Sequence, residues 1–157
     1  MRSYRIVLLA AALLFCLTAC GGQPETPGQV LYETFQEEAN RIPDGALEDL
    51  ATDLVQHEVI PFDGVVTPVE PGLLTGFGEQ EITGFEEGVM YGPVIGSIPF
   101  MGYLFRLSPD TDEKAFMETL KDAADPQWNV CTKAEETIVE REGDLVFFLM
   151  SPSSLEE

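Results

Sequence analysis

Basic residues are scarce in this chain. Its 157 residues include 8 Lys and Arg against 28 Asp and Glu, a formal net charge of −20. Phosphate backbones are held by clustered Lys and Arg, so nucleic acid is excluded as a partner. Histidine is nearly absent, with His57 alone, and there are only three cysteines. That leaves little material for a zinc site or for His-based catalysis, and no metal or other cofactor is expected. No apolar run approaches the ~20 residues that a spanning helix needs. Wholesale disorder is excluded too, because 45% hydrophobic and 10% aromatic residues suffice for a packed core. The length allows one domain, two at most.

The N-terminus reads as an address. Arg2 and Arg5 precede an unbroken apolar run from Ile6 to Leu17. A basic start followed by an apolar run of this length has the layout of a signal peptide. Next come Leu17-Thr18-Ala19-Cys20 and then Gly21-Gly22. Here the chain resembles bacterial lipoproteins, whose lipobox is a Leu, a small or polar residue, a small residue and Cys. The resemblance implies cleavage before Cys20, with a diacylglycerol on its thiol. It places residues 1–19 as the signal peptide and the mature chain on the extracytoplasmic face of the cell membrane, lipid-anchored. One acyl chain anchors marginally and two anchor stably, since each buried CH₂ contributes about 0.8 kcal/mol.

Processing changes the charge and the thiols. Loss of residues 1–19, which carry two Arg and no acid, takes the formal charge from −20 to −22. Such a body is repelled by an anionic membrane surface. Cys16 leaves with the signal and Cys20 carries the lipid, so Cys131 is the one remaining thiol and no intramolecular disulfide can form. Residues 20–28, with Gly and Pro prominent, read as a flexible to semi-extended tether. Residues 29–157 are expected to form a single α+β domain and to act as a monomer.

Local patterns place the elements. Leu31, Phe35, Ala39 and Ile42 recur at helical spacing, predicting a helix over Val30–Ile42 that Pro43 closes. Leu47, Leu50, Ala51, Leu54 and Val55 predict a second, Gly45–His57, with Asp44 as its cap. Residues 61–102 hold nine of the 14 Gly, a density no helical stripe survives. Short strands are expected there at Gly64–Val69, Gly78–Glu86 and Gly88–Val94. Ile98–Leu107 reads as a strand, Thr111–Ala124 as a helix capped by Asp110 with Glu113 reaching back, and Pro126 as its stop. Thr137–Arg141 and Leu145–Met150 read as strands joined by the turn Glu142-Gly143-Asp144. The run Leu145-Val146-Phe147-Phe148-Leu149-Met150 does not alternate, so both its faces need cover and it belongs mid-sheet. The expected fold is α+β: two N-terminal helices and a small, mainly antiparallel sheet whose C-terminal half is a split β-α-β-β unit.

The C-terminal half also resembles a group of small, uncharacterised lipoproteins of Gram-positive anaerobes. The residues that carry this are Gly92-Pro93-Val94-Ile95-Gly96-Ser97-Ile98, Leu104, Arg106, Trp128, Cys131, Gly143-Asp144-Leu145-Val146-Phe147-Phe148 and Met150. The resemblance implies a fold and a location but no activity.

The candidate chemical motifs fail one by one. Asp110-Thr111-Asp112 opens like a calcium loop, but Lys114 and Ala115 stand where an acid and a Gly are needed. Gly76-Phe77-Gly78 has Glu81 where a dinucleotide loop has its third Gly. Ser97 lacks the flanking glycines of a nucleophile elbow, with Ile95 and Pro99 in their places. Pairs such as Glu86-Glu87 and Glu135-Glu136 follow from acidic composition and read as solvated surface. Cys131 reads as a small buried hydrophobe at a packed corner. The aromatic residues Trp128, Tyr91 and Phe100 are left as a candidate binding surface, with no catalytic residue. The expected role is a non-enzymatic binding or accessory module with a protein or cationic partner. The alternatives are solute or cation capture, in which acidic residues concentrate cations, and a small cell-envelope hydrolase.

Overall fold

The computed structural model describes residues 25–42 and 46–155. In chain order the elements are α1 (Pro27–Ala39), α2 (Leu47–Val55), β1 (Gly64–Pro68), β2 (Gly72–Leu73), β3 (Glu81–Ile82), β4 (Phe85–Pro93), β5 (Met101–Leu107), α3 (Glu113–Ala123), β6 (Glu136–Glu142) and β7 (Leu145–Ser151). The fold is α+β. Five strands form one antiparallel sheet in the order β1-β4-β5-β7-β6, and β2 and β3 form a small second ladder. No helix among the described residues is long and apolar enough to cross a membrane.

The first helix starts three residues before its expected position. Thr26 and Gln29 form a reciprocal capping box, and Pro27 occupies the first turn, where its missing N–H costs nothing. Pro27 and Gly28 are buried in this helix, so the tether expected over residues 20–28 ends before Pro27. A side chain at Gly28 would collide with Glu136 and Ile138, which holds the helix start tightly against β6. The second helix is shorter than expected and has no side-chain cap on Ala46. Asp44, the expected cap, lies outside the described residues.

The glycine-rich middle corrects the reading of residues 78–86 as one strand. Gly78 and Gly84 have φ of +57° and +95°, in the left-handed region, and extended backbone cannot pass through either. Turns carry Leu74 to Gln80 instead, through Phe77 N–H to Leu74 O and Gln80 N–H to Phe77 O. Only Glu81–Ile82 remain extended before β4 begins.

The cap of α3 is Asp112, whose carboxylate accepts the Ala115 N–H at 2.9 Å, and not Asp110. Thr111 donates its hydroxyl to Gly84 O at 2.6 Å, which tethers the approach to β4 and pushes the start of the helix along by two residues. Glu113 pairs with Arg141 at 2.8 Å rather than reaching back to a cap. The β6–β7 hairpin closes through Gly143-Asp144, with Gly143 at φ +60° and Asp144 at negative φ. That combination is the type II′ turn that suits strand twist.

Side chains of β7 alternate between two cores. Leu145, Phe147 and Leu149 face α1 and α2, packing with Leu31, Phe35, Leu50 and Leu54. Val146, Phe148 and Met150 face α3 and the segment around β2–β3, packing with Phe77, Phe116 and Leu120. The sheet is thus covered on both faces, which is what the unbroken apolar run of β7 requires.

The antiparallel registers sort the loops between two ends of the sheet. Pairings Gly64↔Pro93, Tyr91↔Gly102, Met101↔Met150 and Glu136↔Ser151 put the starts of β1, β5 and β6 beside the ends of β4 and β7. This end therefore carries the β4–β5 loop, the α3–β6 loop and the C-terminal residues. The start of α1 is here as well, because the Thr26 hydroxyl donates to Glu136 Oε2 at 2.7 Å. The opposite end carries the β6–β7 turn, reached by α1 through Gln36 Nε2 to Glu142 Oε1 at 3.0 Å.

Candidate functional site

Two loops meet at the end of the sheet where α1 begins. The β4–β5 loop is held by Val94 N–H to Asp63 O at 3.0 Å and by a tight turn from Ser97 N–H to Ile95 O at 2.9 Å. The α3–β6 loop is held by three backbone bonds, Trp128 N–H to Asp125 O, Thr132 N–H to Asn129 O and Ala134 N–H to Pro126 O. Asn129 Nδ2 donates across to Gly96 O and joins the two loops.

A cavity of about 260 Å³ lies between them, walled by Val65, Tyr91, Phe100, Trp128 and Asn129. On the other side of the β4–β5 loop a second hollow of about 270 Å³ is lined by Phe62, Asp63, Val94, Ile95 and Ile98. The aromatic residues singled out from the sequence thus come together around the first cavity. Their roles there differ. Tyr91 and Phe100 are 0% and 2% exposed, in edge-to-face contact at 6.2 Å, and are core walls rather than open surface. Trp128 is half-buried and packs against the core on the α3 face.

The outward faces of the two loops belong to residues that sequence reading passed over. Val94, Ile95 and Val130 are 63%, 73% and 97% exposed. One sequence signal could have found them. No charged residue occurs from Gly88 to Phe105 or from Pro126 to Thr132, in a chain where acids are otherwise frequent.

Cys131 is exposed, which corrects its reading as a buried structural residue. The three backbone bonds of its loop turn Val130 and Cys131 outward together, away from the packed corner that Trp128 occupies. A thiol reagent is therefore expected to label native Cys131 at nearly the rate of the unfolded chain. Cys131→Ala should change stability by no more than about 0.5 kcal/mol, as at ordinary surface positions. Labelling kinetics in native buffer and in denaturant check both points, and strong native protection would contradict them.

The remaining candidates have structural partners. His57 accepts the Val59 N–H on Nδ1 at 3.1 Å, in the turn after α2. Glu87 and Asp144 pair with Arg106 at 3.1 and 3.2 Å, and Glu86 is exposed. Hydrogen bonds from the Ser153 hydroxyl and backbone N–H hold the Glu135 carboxyl below its usual range. Glu136 takes the Thr26 hydroxyl and ties α1 to the sheet. Among the described residues no group of three or more His, Cys, Asp or Glu is arranged to hold a metal ion. Cys20 lies outside the described residues. No protein-family model, curated protein or solved structure matches this chain.

Proposed function

We propose that this chain is an extracytoplasmic lipoprotein, held on the cell membrane through a lipid on Cys20, whose α+β domain is a non-enzymatic binding or accessory module. The observation that carries the anchor is the match of Leu17-Thr18-Ala19-Cys20 at all four lipobox positions, behind a basic and apolar leader. A binding role is supported by the character of the two hollows at the sheet end. Their walls are mainly aromatic, aliphatic and backbone groups, with Asn129 and Asp63 among the few polar side chains. A surface of that kind supplies contact area rather than proton transfer or nucleophilic attack. The C-terminal half is read as a split β-α-β-β unit, a reading supported by the antiparallel pairing of β7 with both β5 and β6 and by α3 in the crossover.

The anchor is tested by Cys20→Ser in a lipoprotein-processing bacterium. Wild type is expected to incorporate labelled fatty acid and to partition into the detergent phase. The variant is expected to lose both, with the leader uncleaved. Acylation and membrane retention undiminished in Cys20→Ser would falsify the reading.

A further inference from the structure

Thr26, the start of α1 and the apolar loops are at the same end of the sheet. Thr26 is six residues after Cys20, so the chain between them spans at most ~21 Å at ~3.5 Å per residue. Thr26 is bonded to Glu136 at the start of β6, and the β4–β5 loop leaves the sheet three strands away at that same end. Strands are spaced by ~4.8 Å, so the lateral offset is ~14 Å, within the reach of the tether. An acyl chain on Cys20 is therefore attached nearer to this end of the sheet than to the β6–β7 turn, which lies ~20 Å further along β6 at ~3.3 Å per residue.

What this end presents suits that position. Val94, Ile95 and Val130 project from the loop stretches 93–98 and 126–131, which carry no charged residue, and Asn129 fastens the two loops to each other. Elsewhere the surface is strongly acidic and is repelled by lipid phosphates. Apolar side chains at a headgroup boundary gain by leaving water, and a short tether makes that contact nearly intramolecular. Resting on the lipoprotein reading above, we propose that the tip formed by residues 93–98 and 126–131 sits in the interfacial layer of the bilayer that holds the Cys20 lipid. Val94, Ile95 and Val130 are its contact side chains. Lipid and tip together then fix the orientation of the domain, standing the sheet on its end with the opposite turn outermost.

The test uses the full mature, acylated protein reconstituted in phosphatidylcholine vesicles. With Cys20 acylated and Cys16 removed, Cys131 is the one free thiol and takes an environment-sensitive fluorophore at the tip. Its emission is expected to shift to the blue and intensify on reconstitution, and to be quenched by lipids brominated high on the acyl chain. A Val94→Asp, Ile95→Asp, Val130→Asp variant should remain acylated and float with the vesicles, yet lose most of that signal. Leu73→Asp alters an exposed apolar residue on β2, outside residues 93–98 and 126–131, and should leave the signal unchanged. Far-UV circular dichroism matching wild type shows that the triple variant is folded. Protein that is acylated and floats, but whose probe reads as in water with or without the Asp substitutions, overturns the membrane-contact proposal and points to a protein partner at the tip. Protein that is not acylated and does not float overturns the anchor itself.

Discussion

Phe147→Ala is expected to cost about 3–5 kcal/mol of folding stability, the range for emptying a fully buried aromatic site. Phe147 is 0% exposed and its ring is in tilted contact with Phe35 at 5.3 Å and Tyr32 at 5.7 Å, both on α1. It is the ring through which the central strand holds the N-terminal helix. The cost should appear as a lower urea midpoint at an unchanged m-value. β7 is hydrogen-bonded to a neighbour on each side and buried on both faces, so its amides should exchange only through global opening. β6 is an edge strand with Thr137, Glu140 and Arg141 exposed, and its outward amides should exchange faster. A cost below about 1 kcal/mol, well under the usual range, or slower exchange in β6 than in β7, would show that β7 is not the centre of the core.

The elements that sequence alone made legible are those with redundant signals. The run Leu145–Met150 announces burial on both faces, the Gly143-Asp144 pair announces the turn, and Pro126 announces the end of α3. The middle of the chain lacks such redundancy. Gly78 and Gly84 are written like any other glycine, yet their left-handed φ turns the chain twice within what reads as one strand. The displaced cap of α3 has the same origin: Asp110 and Asp112 are equivalent by type, and only the Thr111 contact with Gly84 selects the second. At the candidate site, aromatic type picked out Tyr91, Phe100 and Trp128, and they do converge. Side-chain type does not say which way a loop residue faces. Cys131 reads as core because it is a small hydrophobe, and Val130 is passed over, whereas backbone bonds within their loop turn both to the outside.

Alkaline pH should unfold the domain earlier than its charge alone would bring about, because two phenols are buried on opposite faces of the sheet. Tyr91 is 0% exposed on the α1 and α2 face, and Tyr103 is 1% exposed on the other. Burial pushes both phenols well above the usual tyrosine value. Tyr91 owes its place to Gly102, directly opposite on β5, where any Cβ would run into its ring. A phenol whose value is raised in the folded state contributes stability that is fully present below about pH 10, where the unfolded chain is also neutral. Above that pH the unfolded chain ionises and the folded one does not, so stability falls by about 1.4 kcal/mol per pH unit for each group. Two such groups should remove about 5 kcal/mol by pH 12. Single Phe substitutions separate the contributions. Each should flatten the alkaline limb by about half, while at pH 7 they differ. The Tyr103 hydroxyl donates to Thr75 O at 2.9 Å, so Tyr103→Phe should cost about 1 kcal/mol. The Tyr91 hydroxyl has no hydrogen-bond partner among the described residues, so Tyr91→Phe should leave neutral-pH stability unchanged or raised. Tyrosinate absorbance and circular dichroism followed together from pH 8 to 13 check the linkage. Ionisation of all the domain's tyrosines before any loss of circular dichroism would refute it, because buried phenols can titrate only as the fold opens.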